Sequence, residues 1–125
     1  MTRMIAVILE SGDPQRLYTG LSLLVSAAAE GRPARALVSF GALAPLLDAA
    51  GLEAAARAAG PEAFANTLVK LRETAAELDD CRLWACAAAV EAAGMERAAV
   101  EAQLDGVMST PRFLREVAGA DLVVV

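Results

Sequence analysis

The sequence predicts a three-layer α/β/α sandwich, a single domain built on a mainly parallel sheet of about five strands. Three observations point there. Short runs rich in β-branched residues are apolar at consecutive positions, as strands covered on both faces require. Between them lie longer segments with apolar residues at helical spacing. Glycine, proline and aspartate punctuate the junctions. Strands that alternate with helices pair in parallel through right-handed crossovers, which places helices on both faces of the sheet.

Residues 4–9, Met-Ile-Ala-Val-Ile-Leu, form the first strand-like run. In the Glu10-Ser11-Gly12-Asp13-Pro14 loop that follows, Gly12 permits a turn, Asp13 can cap and Pro14 suits the first helical position. A helix is predicted from Pro14 to about Glu30, with Leu17, Leu21, Leu24 and Val25 as its buried stripe and Gly31 ending it. Arg32-Pro33 breaks the chain before a second strand over residues 36–40. Gly41 opens another turn, and Leu43, Leu46 and Leu47 lead a short helix that stops near Gly51. Residues 52–61, rich in alanine and closed by Gly60-Pro61, read as a short helix or an ordered loop. From Glu62 or Ala63 to Leu78 the pattern is helical, with Phe64, Leu68, Leu71 and Ala75 on one face and Asp79-Asp80 beyond it. The third strand spans residues 82–85, near the centre of the expected sheet, and Cys86 stands where it turns into a helix ending at Gly94. A helical turn or two over 96–103 and a short strand over 105–108 come next. A helix started by Thr110-Pro111 and a final strand over 120–125 complete the chain, with no repeat, linker or domain boundary.

Composition excludes several function classes. A chain of 125 residues is the size of one domain that buries a sufficient core without staples. Hydrophobic residues make up 57% of it but aromatics only 4%, so alanine supplies much of the apolar content. The mean hydropathy of +0.46 raises the question of a membrane. The longest charge-free segments, 17–29 and 36–47, fall short of the roughly 18 residues a spanning helix needs, so no membrane span is expected. The surplus apolar surface is expected to be covered by other copies of the chain. The Met-Thr-Arg-Met start and its brief apolar run lack the longer hydrophobic region and cleavage site of a signal peptide, which implies a cytoplasmic location. A net charge of −5, with 11 scattered basic residues, disfavours nucleic acid. The absence of histidine removes histidine-dependent triads and metal sites.

What remains for chemistry is chiefly the pair of cysteines. Five residues of strand separate Cys81 from Cys86 by roughly 16 Å, whereas disulfide Cα atoms lie within about 7 Å, so the two do not bridge. Cys81, at the start of the strand, reads as packing. Cys86 is at the carboxyl end, where open parallel sheets place their ligands. A thiol there would feel the free N–H groups and dipole of the following helix, which favour thiolate. The competing reading is a buried packing thiol, because Ala87-Ala88-Ala89-Val90 brings no charged activator beside it.

The segment Ala85-Cys86-Ala87-Ala88-Ala89-Val90-Glu91-Ala92-Ala93-Gly94-Met95 resembles that of the DsrE/DsrF/TusD-like sulfur-relay proteins, in which a strand ends in Cys and Gly follows eight residues later. Leu104-Asp105-Gly106-Val107 and residues 113–125 are similar to the family in order and spacing. The resemblance implies one DsrE-like domain over residues 1–125 and a homo-oligomer such as a trimer or hexamer. It also implies a sulfurtransferase or sulfur-carrier role in which Cys86 is the catalytic residue. Cys86 would hold persulfide sulfur between a donor and an acceptor protein, without metal or organic cofactor. The alternative is a non-catalytic oligomeric DsrE-like module that binds a partner protein or small ligand.

Other polar residues carry weaker readings. The Glu10–Pro14 loop lies where flavodoxin-like proteins hold phosphate, but Glu10 and Asp13 oppose an anion, and Asp13 reads first as a helix cap. Tyr18 and Thr19 face the same crevice or pack beneath its rim. Glu73, Glu77, Asp79 and Asp80 read as a solvated helix end rather than metal or acid–base groups. Trp84 shares a face with Cys86 in a regular strand and either walls its pocket or packs in a core or interface. Asp105, Ser109 and Thr110 are placed near Cys86 by topology alone.

Overall fold

The runs of branched apolar residues become five strands in the computed structural model, which describes residues 3–125. Met1 and Thr2, the start of the segment read above as lacking a signal peptide, lie outside the described residues. The strands are β1 (Ile5–Leu9), β2 (Ala34–Val38), β3 (Cys81–Cys86), β4 (Val107–Met108) and β5 (Asp121–Val124). All pairings are parallel, in the order β4-β3-β2-β1-β5. The sheet therefore centres on β2, and β3 stands one place from it rather than at the centre.

Helix α1 (Pro14–Ala29) joins β1 to β2, and α2 (Leu43–Leu47), α3 (Ala49–Ala59) and α4 (Glu62–Glu77) join β2 to β3. Helices α5 (Ala87–Ala92) and α6 (Arg97–Glu101) lead to β4, and α7 (Thr110–Glu116) leads to β5. The sequence places most of these ends through local chemistry. Asp13 accepts from the Arg16 amide at 3.1 Å with Pro14 behind it, and Ser109 does the same for Arg112 at 3.3 Å with Pro111 in the first turn. Gly31, at φ 83°, closes α1 in a backbone region that favours glycine.

Two boundaries differ from expectation. Gly51 does not end a helix. Asp48 breaks the chain in extended backbone after α2, then accepts the Gly51 amide at 3.1 Å and starts α3, so residues 49–59 are regular helix. The second strand leaves the sheet at Val38 and begins two residues earlier than the pattern suggests, because the Ala34 amide already pairs with the Asp80 carbonyl at 2.8 Å. Ser39 stays extended, and Phe40 at φ 36° turns the chain into a short 3-10 turn.

The layers follow from register. Val7 aligns with Ala36, and Ala36 with Leu83, so these residues share one face. A Cβ on Gly20 of α1 would meet Leu9 and Val7, so α1 covers that face. Arg72 of α4 donates to the carbonyls of Leu46 and Gln103, which ties the ends of α2 and α6 to α4 on the same side. Trp84 has the opposite parity and meets Phe113 of α7 edge-on, with centroids 6.2 Å apart, so α7 covers the second face. A right-handed crossover back past three strands requires that switch of side. The result is the expected α/β sandwich with very unequal helical layers.

Buried stripes match the periodicity in their centres. Leu17, Leu21, Leu24, Leu68 and Ala75 are buried, while Val25, Phe64 and Leu71 are half-buried at the margins. Among the described residues, no helix is long and apolar enough to cross a membrane.

Candidate functional site

At the carboxyl edge of the sheet, the register sets side chains from different strands in a row. Leu9 aligns with Val38 and Val38 with Ala85, so one residue further on Glu10, Ser39 and Cys86 follow one another. Cys86 itself aligns with Met108. Neighbouring strands lie roughly 4.8 Å apart, so Ser39 and Cys86 stand side by side on the face that carries Trp84. Cys86 is the N-cap residue of α5, with extended backbone and no capping bond from its side chain.

Both cysteines are free and buried, and alternation sends them to opposite faces. Cys81 looks toward the α4 layer, and Cys86 toward the face that carries α7. Burial pushes the Cys81 thiol up to about 11, with nearby Asp105 adding to the effect. Cys81 therefore holds its proton and acts as a small apolar filler. Cys86 is only 4% exposed, against the core formed with Trp84, Met108 and the strands beside it. A cavity of about 310 Å³ begins at Ala87 and runs along Val90, Met95 and Val107. Val107 aligns with Ala85, so that cavity lies on the face away from the Cys86 side chain.

Two loops frame this edge closely. A Cβ on Gly12 would stand 2.4 Å from the Gly41 carbonyl oxygen, so the turns after β1 and β2 approach backbone to backbone, as only glycine allows. Phe40, 59% exposed, lies beside that contact in left-handed backbone that costs a residue with a side chain about 1–2 kcal/mol.

The remaining sequence candidates divide. Asp13 is a cap, and the Ser11 hydroxyl accepts from the Asp13 amide at 3.1 Å. Tyr18 stacks on Phe64 with centroids 5.3 Å apart, in the α1–α4 packing rather than in the crevice. The Thr19 hydroxyl donates to the Gln15 carbonyl within its own helix. Trp84 packs against Phe113 and is a core aromatic next but one to Cys86. Asp105 accepts the Leu83 amide at 2.7 Å, midway along β3, so it completes the edge of that strand and does not reach the end that holds Cys86. Ser109 follows Met108 as the cap of α7, and Thr110 is exposed behind it. Glu73, Glu77, Asp79 and Asp80 are exposed, and no cluster able to hold a metal ion occurs among the described residues.

Sequence reasoning passed over Ser39. It is the polar residue that closes the apolar run Ala36-Leu37-Val38, and a lone serine at a strand end carries no motif. Arg72 was missed as well, since nothing local marks an arginine that reaches two distant carbonyls. No protein-family model matches the chain, and neither does any curated protein.

Proposed function

We propose that the chain is a self-associating α/β sulfur-relay protein, in which Cys86 takes up sulfur and passes it to a partner protein, as its resemblance to the DsrE/DsrF/TusD-like family implies. The observation that carries this reading is the place of Cys86: last residue of β3 and cap of α5, at the edge where parallel sheets bind ligands. The Cys86 thiolate attacks the outer sulfur of a donor persulfide, R–S–SH. A new S–S bond forms as the donor's S–S bond breaks, and the donor leaves as thiolate R–S⁻, so Cys86 carries –S–SH. Handing the sulfur on repeats the exchange with an acceptor thiolate, and neither step needs a metal or organic cofactor. A cytoplasmic location, where thiols stay reduced, suits two free cysteines.

Intact mass after incubation with a small-molecule persulfide tests the proposal. Wild type should gain the mass of one sulfur, and Cys86→Ser should not. Failure to load with several donors sinks the relay reading.

A second reading has its own observation, the 4% exposure of Cys86. In it the chain is a non-catalytic oligomeric module that binds a partner protein or small ligand, with Cys86 as packing. That reading requires alkylation of Cys86 only after unfolding, and fast alkylation of the native protein eliminates it.

A further inference from the structure

Ser39 is the buried polar residue among those described, 6% exposed in an otherwise apolar core. Its amide donates to the Leu9 carbonyl and its carbonyl accepts from Ala42, which fixes the backbone at both sides. Its hydroxyl has no hydrogen-bond partner among the described residues. No side-chain oxygen or nitrogen sealed from solvent lacks a partner there, so that hydroxyl keeps a narrow contact with solvent. The residue beside it across the sheet, one step past Val38 and Ala85, is Cys86.

A donor at the margin of the core next to a sulfur has an electrostatic meaning. The Ser39 hydroxyl makes no hydrogen bond to the neutral Cys86 thiol, which is a weak acceptor. A sulfur anion in low dielectric is a strong one, and a charge-assisted bond to it is about twice as strong as a neutral bond. On the other side of Cys86, Met108 offers a thioether and no donor. Ser39 is thus the side-chain donor in register with the sulfur.

We propose that Ser39 is a positioning residue for Cys86: its hydroxyl donates to the sulfur once it is charged, as thiolate or as persulfide anion. The proposal rests on the reading of Cys86 as the sulfur-bearing residue, and its test separates the two. In a Cys81→Ala background, where Cys86 is the remaining thiol, native protein is alkylated with iodoacetamide at neutral pH. Ser39→Ala should slow the reaction about tenfold, the loss of one charge-assisted bond. If Ser39 merely packs, removing its oxygen leaves the rate unchanged or raises it by loosening the seal over the sulfur. Either result overturns the proposal.

Ser39→Thr and Ser39→Val add the same bulk with and without the hydroxyl, so this pair decides the matter even where the alanine variant folds poorly. The threonine variant should react about tenfold faster than the valine variant, and equal rates refute the contact. A wild-type Cys86 that does not react at all in the native state refutes it too. Sulfur loading is scored apart. A Ser39-dependent rate with no sulfur uptake supports the contact while it defeats the relay reading.

Discussion

The two cysteines, five positions apart on one strand, meet opposite environments because strand side chains alternate. Cys81 carries a consequence for stability. With its folded value raised from 9.0 to about 11, it keeps its proton in the folded state while the unfolded chain has lost it. Its contribution is complete below about pH 9 and is lost as pH rises through about 11. Two units at roughly 1.4 kcal/mol each set the scale at about 3 kcal/mol. Urea unfolding at mildly and strongly alkaline pH should therefore show wild type losing about 2–3 kcal/mol more than Cys81→Ala. Parallel losses would clear Cys81 of any part. At this scale the sequence already ruled out a bridge between the cysteines. It left the burial of Cys86 undetermined, since Ala87-Ala88-Ala89 fits an open pocket and a sealed core equally well.

Elements are joined by contacts that local patterns do not announce. The Asp13 cap is legible because its side chain bonds an amide three residues on, within the same short stretch, and Ser109 caps α7 in the same way just ahead of the expected Thr110-Pro111 start. Asp48 works the same way, yet Gly51 next to it masked the signal, for glycine marks helix ends more often than first turns. Arg72 is of another kind. From the middle of α4 it donates at 3.1–3.2 Å to Leu46 and at 3.1 Å to Gln103, carbonyls 26 and 31 positions away, and burial lowers its pKa. Arg72→Ala leaves the Leu46 carbonyl short of a donor in a partly buried site and should destabilise the fold by about 1–3 kcal/mol, read as a lower urea midpoint with unchanged slope. A midpoint equal to wild type would mean that water replaces the guanidinium without cost.

The whole molecule is lopsided. Helices α1, α4 and their neighbours crowd one face of the sheet, while the seven residues of α7 are the helix seen to cover the other. Three of the four exposed large hydrophobic residues belong to that thin side: Leu114 at 50%, Leu122 at 51% and Val124 at 60%. Leu122 and Val124 sit on β5, an edge strand with no charge from 122 to 125 to discourage pairing. Self-association over this side is expected at micromolar concentration by analytical ultracentrifugation, and Val124→Lys should shift the population toward monomer. A wild type that sediments as a monomer throughout would remove this expectation. The sequence reads residues 120–125 as a final apolar strand without saying which side chains are covered, and only the uneven helix layers show Leu114, Leu122 and Val124 as surface.

The alternation of strands and helices, their caps, the separation of the cysteines and the place of Cys86 at a strand end are all local in origin. Each follows from spacing and turn chemistry within a few residues, which is why the sequence by itself determined them. The neighbours of Cys86, its face, its burial and the position of Ser39 beside it depend on how β2 and β3 slide past each other. That register is settled by packing between residues more than forty positions apart, and a slip of one residue would send every side chain to the other face. Tertiary structure alone decides it, because the free energy that selects one register is released only when the whole sheet is buried.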